Sequence, residues 1–487
     1  MSWLGEHWLA AVLLVVYTLV LLYHAQVGRR ESHNMRDYYV GGRNLGGIVV
    51  GISFFATFAS TNSYIGHAGK GYEYGLPWMT LAVLIVIFTY VSWTVVAPRL
   101  RRFTRHWDAL TLPDYLAARF GSDHKLLRIL AAVVILFSSL LYLVAIFKGA
   151  GNLFERFFQI PYTAAVGVTL VIVMLYTSIG GFVSVVRTDV VQGILMIFGS
   201  VTIFAFVYSA AGGMGALQEM AQRPQTEHLF TLNAAIPFIV LLGIALSGSL
   251  KLLVDPRQLS RFYALKDDHS VKVGIWVAVI GIAVIQFSLF PVGVLARALL
   301  DGVTDTDLVV PTLISDQAIF PLWVADCLII AMVAAAMSSM DSVLLVAASV
   351  LYKDIVETLH PTAHPLTWTR IGVIGVAVVA AFVALDPPGD IVEITIFSGS
   401  LYAACFFPAI LFGLHWQKGS AVGVLTSMVL GVVTLVSWML FGPSDVVHEV
   451  FPALTVSCLA YAIIARMTPS AIQQWPDERA PESPGEY

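Results

Sequence analysis

Thirteen stretches of about 20 predominantly apolar residues recur along the chain, and that is the length an α-helix needs to cross the hydrocarbon of a bilayer. They run 7–27, 45–72, 77–98, 126–156, 162–182, 188–212, 233–254, 271–298, 320–355, 366–385, 388–415, 419–441 and 447–466. Backbone groups in hydrocarbon must be satisfied within the protein, so uninterrupted apolar runs of this length read as helices. With 58% hydrophobic and 12% charged residues, the fold class is an all-α polytopic membrane protein with about thirteen transmembrane helices. The formal charge of −4 therefore says little about partners, and nothing points to nucleic acid. Cys327, Cys405 and Cys458 lie inside apolar runs and have neither disulfide nor metal-site spacing. The first run has no basic residues before it and no small-residue cleavage site after it, so it reads as a retained helix. Runs 126–156, 320–355 and 388–415 exceed one crossing and are expected to bend or to continue past the membrane.

Basic residues concentrate in 28–44, 99–125, 255–270 and 353–370, while Lys70, Arg156 and Arg223 mark the other side. Positive segments stay cytoplasmic, so the N-terminus is expected outside and the C-terminus in the cytoplasm, with the protein in the cell membrane. The tail 468–487 is polar and proline-rich, and is expected to be short and disordered. Five crossings fill 45–212 and five more fill 213–415, after an external loop. Because five is odd, the second set must be inverted relative to the first. A peripheral first helix and cytoplasmic loop (1–44) and two peripheral helices (416–467) flank them.

One crossing is written unlike the rest. Residues 45–75 carry Ala56-Thr57-Phe58-Ala59-Ser60-Thr61-Asn62-Ser63 where the midplane falls, with Gly66, Gly69 and Gly71 expected to loosen the second half of the crossing. A spanning helix broken at mid-depth marks a transporter binding site; a polar-faced helix packing through small residues is the alternative. The second set opens with Gly243, Gly248 and Pro256 as weak points and Ser247 and Ser249 as polar ones. Inverted five-helix repeats that each open on an interrupted helix describe the leucine-transporter type of fold.

Three further stretches narrow the reading. Tyr176-Thr177-Ser178-Ile179-Gly180-Gly181 runs on to Arg187-Thr188-Asp189-Val190-Val191-Gln192-Gly193 between the fifth and sixth spans. Ala335-Ala336-Met337-Ser338-Ser339-Met340-Asp341-Ser342 lies in the ninth, and Asp255-Pro256 with Arg261-Phe262 comes after the seventh. Together with Tyr64-Ile65-Gly66, Gly71-Tyr72 and Gly75-Leu76, these motifs resemble the sodium:solute symporter family. The resemblance implies Na⁺ as coupling ion, bound by the carbonyls of Ala56, Ala59 and Ala335 and the hydroxyls of Ser338 and Ser339. That suits a hard cation, which prefers oxygen, and 335, 338 and 339 share one helix face. It also implies a possible second cation site at Asp189, Ser338, Asp341 and Ser342, unusually acidic for the family.

A carboxylate inside a spanning helix costs about 2.5–3.5 kcal/mol on insertion scales, so Asp189 and Asp341 are functional candidates, although Asp189 could equally cap a helix or pair with Arg187. If both face one cavity, a cation lies between them or one is protonated. Lys148 and Lys251 also fall in spans. Snorkelling to an interface is the ordinary behaviour of such a lysine; the alternative is that one of them neutralises an anionic substrate. Lys251 is expected near the cytoplasmic end, which leaves Lys148, with Ser60 and Ser63, as the substrate-binding expectation. The apolar start of the third span, Trp78 to Ile85, would leave a sugar's hydroxyls unpaired, at about 1–3 kcal/mol each. His67 reads as a packing residue. No phosphate loop, nucleophile elbow or zinc motif suggests an enzyme or an ATP-driven pump. The expected function is Na⁺-coupled uptake of a small organic solute, a monocarboxylate or pantothenate-like acid, with a proline-like amino acid or proton coupling as alternatives. Its partners are then the solute and the lipid bilayer, with no obligate protein partner.

Overall fold

The computed structural model describes residues 6–121, 125–360 and 362–468, so the expectation for the tail lies, beyond Thr468, outside the described residues. The spans are α1 (Trp8–Glu31), the bent pair α2 (Gly47–Phe58) and α3 (Asn62–Tyr74), α4 (Leu76–His106), α5 (Lys125–Phe158) and α6 (Tyr162–Ala211). After them come α7 (Phe238–Val254), α8 (Pro256–Ala264), α9 (Asp268–Ala296), the short α10 (Thr306–Ser315), α11 (Leu322–Leu359), α12 (Pro365–Val383), α13 (Ile391–His415), α14 (Ala421–Phe441) and α15 (Val450–Met467). No strand is present among the described residues.

Among the described residues, eleven helices are long and apolar enough to cross a bilayer, and the bent pair makes twelve. The thirteenth is hidden in α6. Its 50 residues would extend about 75 Å, more than twice the roughly 30 Å of a hydrocarbon core. Gly181 divides them, at φ 65° and ψ −170°. A Cβ on Gly181 would lie 2.6 Å from the Tyr38 ring, so glycine is required here both for its conformation and for the approach of Tyr38.

Burial grades the bundle. Through its most apolar segment α11 is 94% buried and α13 83%, against 22% for α1 and 28% for each of α14 and α15. Phe198, Phe382 and Phe441 project outward, exposed, as lipid-facing residues do and soluble surfaces avoid. The basic segments meet at one end. Arg43 donates to Ala109 O at 2.8 Å, Arg101 pairs with Asp268 at 2.5 Å and Lys353 with Asp114 at 3.4 Å. Leu45 and Leu265 form a bridge there. We call this the basic end.

The break of the second crossing falls at Ala59-Ser60-Thr61, where α2 and α3 meet at 56°. The glycines beyond it do something other than expected. Residues 62–74 stay helical, and a Cβ on Gly69 would stand 2.3 Å from Thr306 O, one on Gly71 2.8 Å from Phe290 O. Gly69 and Gly71 admit neighbouring backbones within regular helix, whereas Gly66 closes the wider π turn Asn62–Gly66, to which the loosening is confined. In the second set, Gly243 and Gly248 lie inside unbroken α7, and the interruption is at Asp255, extended at ψ 122°. Pro256, which cannot donate a backbone hydrogen bond, then starts α8.

Candidate cation and solute site

At the break, Ala59 leaves the helix at φ −73° and ψ 117°, so its carbonyl and those just before it lose their regular partners. Helix α11 meets them with hydroxyls. Ser338 Oγ lies 3.0 Å from Ala56 O and 3.1 Å from Ala335 O, and Ser339 Oγ donates to Thr57 O at 3.1 Å. Ala56, Ala59, Ala335, Ser338 and Ser339 are each 0% exposed. Oxygens about 2.4 Å from a cation stand about 3.4 Å apart along an octahedral edge, and Ser338 Oγ stands within a few tenths of an ångström of that spacing from Ala56 O and Ala335 O. Neutral oxygens of this kind suit a monovalent hard cation, whose charge dipoles can meet without a buried carboxylate.

Towards the basic end lies a charged cluster. Asp189 Oδ2 accepts from Ser53 Oγ at 2.5 Å, Thr57 Oγ1 at 3.5 Å and Arg261 Nη2 at 3.1 Å. Arg261 Nη2 also donates to Ser342 Oγ at 2.6 Å, and its Nε to Ser53 Oγ at 3.1 Å. The positive charge beside Asp189 is thus a guanidinium from α8. Ser342 Oγ bonds to Ser338 O at 2.8 Å and lies 3.3 Å from Asp341 Oδ1. Asp341 Oδ2 and Asp189 Oδ1 are buried without hydrogen-bond partners. Asp189 does not pair with Arg187, which bonds to Glu31 at 2.9 Å. As members of this cluster, Ser53, Thr57 and Arg261 escaped the sequence reading. Ser53 and Thr57, four apart on one helix face, were the available signal.

Ser60 and Ser63 lie at and just after the break. Ser60 Oγ accepts from Tyr142 OH and from Asn62 N, each at 3.1 Å; Ser63 Oγ accepts from Gln286 Nε2 at 3.4 Å. Lys251 joins this region: its ammonium stands 5.2 Å from the Phe58 ring centre and 5.4 Å from that of Tyr142. His67 stacks on Phe290 at 4.5 Å, as a packing histidine does. Lys148 lies apart, towards the end opposite the basic one. It pairs with Asp307 at 2.7 Å and donates to Gly389 O at 3.2 Å. Nearby, Lys70 pairs with Glu73 at 2.7 Å and Asp390 at 2.9 Å, around a cavity of about 550 Å³. Burial raises the Asp307 carboxyl above its usual range, against the pull of Lys148.

Spanning helices interrupted at two crossings, with carbonyls facing hydroxyls at one break and an ion pair beneath it, define a secondary transporter of the leucine-transporter fold. Residues 38–431 match the sodium:solute symporter family, and the chain belongs to that family. It is 28% identical to the sodium/proline symporter of Escherichia coli, over 94% of each chain. It is also 28% identical to the sodium/pantothenate symporter of Haemophilus influenzae, over 90% of this chain and 92% of that one. Among solved structures, a Na⁺-coupled sialic acid symporter in a substrate-bound outward-open state superposes with a TM-score of 0.81 at 19% identity, covering 96% of this chain and 99% of that one. A nucleobase-cation-symport-1 transporter in a closed conformation gives 0.57 at 15% identity, covering 89% and 95%. These likenesses support the fold.

Proposed function

We propose that the protein couples inward Na⁺ movement to uptake of a small organic anion, such as a monocarboxylate or a pantothenate-like acid. The observation that carries the coupling is the Ser338 hydroxyl, within 3.1 Å of both the Ala56 and Ala335 carbonyls, beside Ser339 and the freed Ala59 carbonyl. These five residues form the Na⁺ site. The basic end is cytoplasmic, with the N-terminus outside, the C-terminus inside and the protein in the cell membrane. The repeats are 45–212 and 213–415, flanked by 1–44 and 416–467. Ser60, Ser63 and Lys148 act on the solute, Lys148 from the outer approach.

The acidic cluster of Asp189, Ser338, Asp341 and Ser342 is read as a second cation site closed by Arg261. The intact pair of Arg261 and Asp189 serves as a lock on the cytoplasmic side, and a second Na⁺ enters once the guanidinium withdraws. A second reading, symport of proline or a similar amino acid, is favoured by the relatives that carry that name. The two differ in charge moved. One Na⁺ with a neutral solute uses both voltage, about 2.3 kcal/mol per 100 mV, and gradient, about 1.4 kcal/mol per tenfold. One Na⁺ with a monoanion keeps the gradient alone, which favours two sodium ions. Proteoliposome uptake at clamped potential, across carboxylates and L-proline, tests this. A ratio of two Na⁺ per carboxylate is expected; uptake indifferent to sodium overturns the proposal.

A further inference from the structure

Lysines inside spans ordinarily let their heads rise to an interface. Lys251 does not: it keeps 5% of its surface, and its ammonium turns inward over the rings of Phe58 at the end of α2 and Tyr142 of α5. Its stem is held by α13, where a Cβ on Gly399 would stand 3.7 Å from Lys251 Cδ and 2.5 Å from Ser247 O. No hydrogen bond or ion pair reaches the ammonium among the described residues. The nearest acid in the chain, Asp255, is spent on Arg257, which holds it by Nε at 3.0 and 2.9 Å and by Nη2 as well. The Arg257 guanidinium also lies against the Tyr142 ring, 3.8 Å from its centre. Two cations and one anion therefore meet here, leaving one positive charge without a counter-charge. A buried charge in that condition is strongly unfavourable unless something supplies its partner.

The cation has a complete setting except for its anion. Phe58 and Tyr142 provide apolar and cation–π faces, and Tyr142 OH leads through Ser60 Oγ at 3.1 Å directly to the break. Lys148 lacks this character because Asp307 already neutralises it, as Asp189 does Arg261. We propose that the Lys251 ammonium is the docking point for the carboxylate of a small monoanionic solute, seated between Phe58, Tyr142 and Ser60. This rests on the symport reading and deepens it. An excess charge of one matches a monoanion and disfavours a zwitterion, whose ammonium would bring back the charge that the carboxylate removed. The apolar faces of Phe58 and Tyr142 suit an acid whose body is apolar.

The test uses purified full-length protein and Lys251→Gln, Lys251→Met and Lys251→Arg. Thermal midpoints are measured in NaCl and in KCl against acetate, propionate, pyruvate, pantothenate, propionamide and L-proline. At least one carboxylate should stabilise the wild type while propionamide does not. Its half-saturating concentration should rise at least about 30-fold in Lys251→Gln and Lys251→Met, as expected when one partner of a buried charge pair is removed, and much less in Lys251→Arg. The shift from NaCl alone should persist in all three variants, showing that they fold and keep the cation site. A carboxylate shift unchanged in Lys251→Gln overturns the proposal. So does a panel in which no carboxylate stabilises the wild type, or in which only L-proline does. If NaCl alone gives no shift and drives no uptake, the coupling reading fails, while the Lys251 assignment is still decided by the carboxylate shifts in KCl.

Discussion

Replacing Arg261 by Gln should open the basic end of the protein. The side chain is 1% exposed and bonds at 3.1 Å to Asp189, itself 0% exposed. It also reaches Ser53, Ser342, Ser260 Oγ and Arg257 O at 2.6 to 3.2 Å, so α8 is tied to α2, α6 and α11 through one group. Removing one partner of a buried pair costs about 3–5 kcal/mol, because the other charge stays behind. A 99:1 preference for closure amounts to about 2.7 kcal/mol, so the loss is enough to leave the open form dominant. The reporter is Ser349→Cys, buried among residues near Ser260 at this end, in a background with Cys327, Cys405 and Cys458 replaced by Ser. A bulky maleimide should label it about 100-fold faster in Arg261→Gln. Adding Asp189→Asn removes the stranded charge and should recover part of the closure, giving a coupling energy well above the roughly 0.5 kcal/mol scatter of independent sites. Unchanged labelling, or additive effects of the two substitutions, would refute the lock.

Three further outcomes are expected. Ser338→Ala and Ser339→Ala should each raise the Na⁺ concentration giving half-maximal stabilisation by roughly tenfold, since each deletes an oxygen worth about 1–1.5 kcal/mol; an unchanged sodium titration in the double variant counts against the site. Lys148→Gln leaves Asp307 buried and without its cation, so amide exchange across 301–315 should quicken by roughly tenfold, measured by mass spectrometry; identical exchange would show that the pair does not hold this segment. Burial lowers the His448 imidazole from 6.5 to about 4. The unfolded chain therefore binds the extra proton first, and stability present above pH 6.5 should be lost as the pH falls towards 4. Thermal midpoints of wild type and His448→Gln should diverge over that window, and parallel curves would exclude the histidine.

The spans and the break were legible because both are local. A run of apolar residues reports its own length, and Ala56 to Ser63 announces polar groups at mid-depth without reference to the rest of the chain. The serine pair was legible for a similar reason, as 335, 338 and 339 share a face in any helix. Arg261 was visible only as part of a motif, because its partner lies 72 positions away and only packing brings α8 beneath α2. The burial of Lys251 was not legible. Counting residues to the end of its run suggested a head that rises to an interface, but the next helix, Pro256–Ala264, is itself buried throughout, so the ammonium at this end meets protein. The glycines of α3 illustrate the same limit: their sequence signal was real, while the backbones of Thr306 and Phe290 that explain them come from far along the chain.

The turn at Gly181 has a consequence for what evolution or engineering can do to this chain. Two crossings meet there with no loop between them, and Asp189 comes eight residues later in continuous helix. Each residue of helix advances the chain by 100° and 1.5 Å. Elsewhere an inserted residue is absorbed by a connecting segment and forgotten. Between Gly181 and Asp189 it has nowhere to go, so it becomes a rotation that swings the carboxylate about 100° away from Arg261. A change in length is converted there into a change of angle.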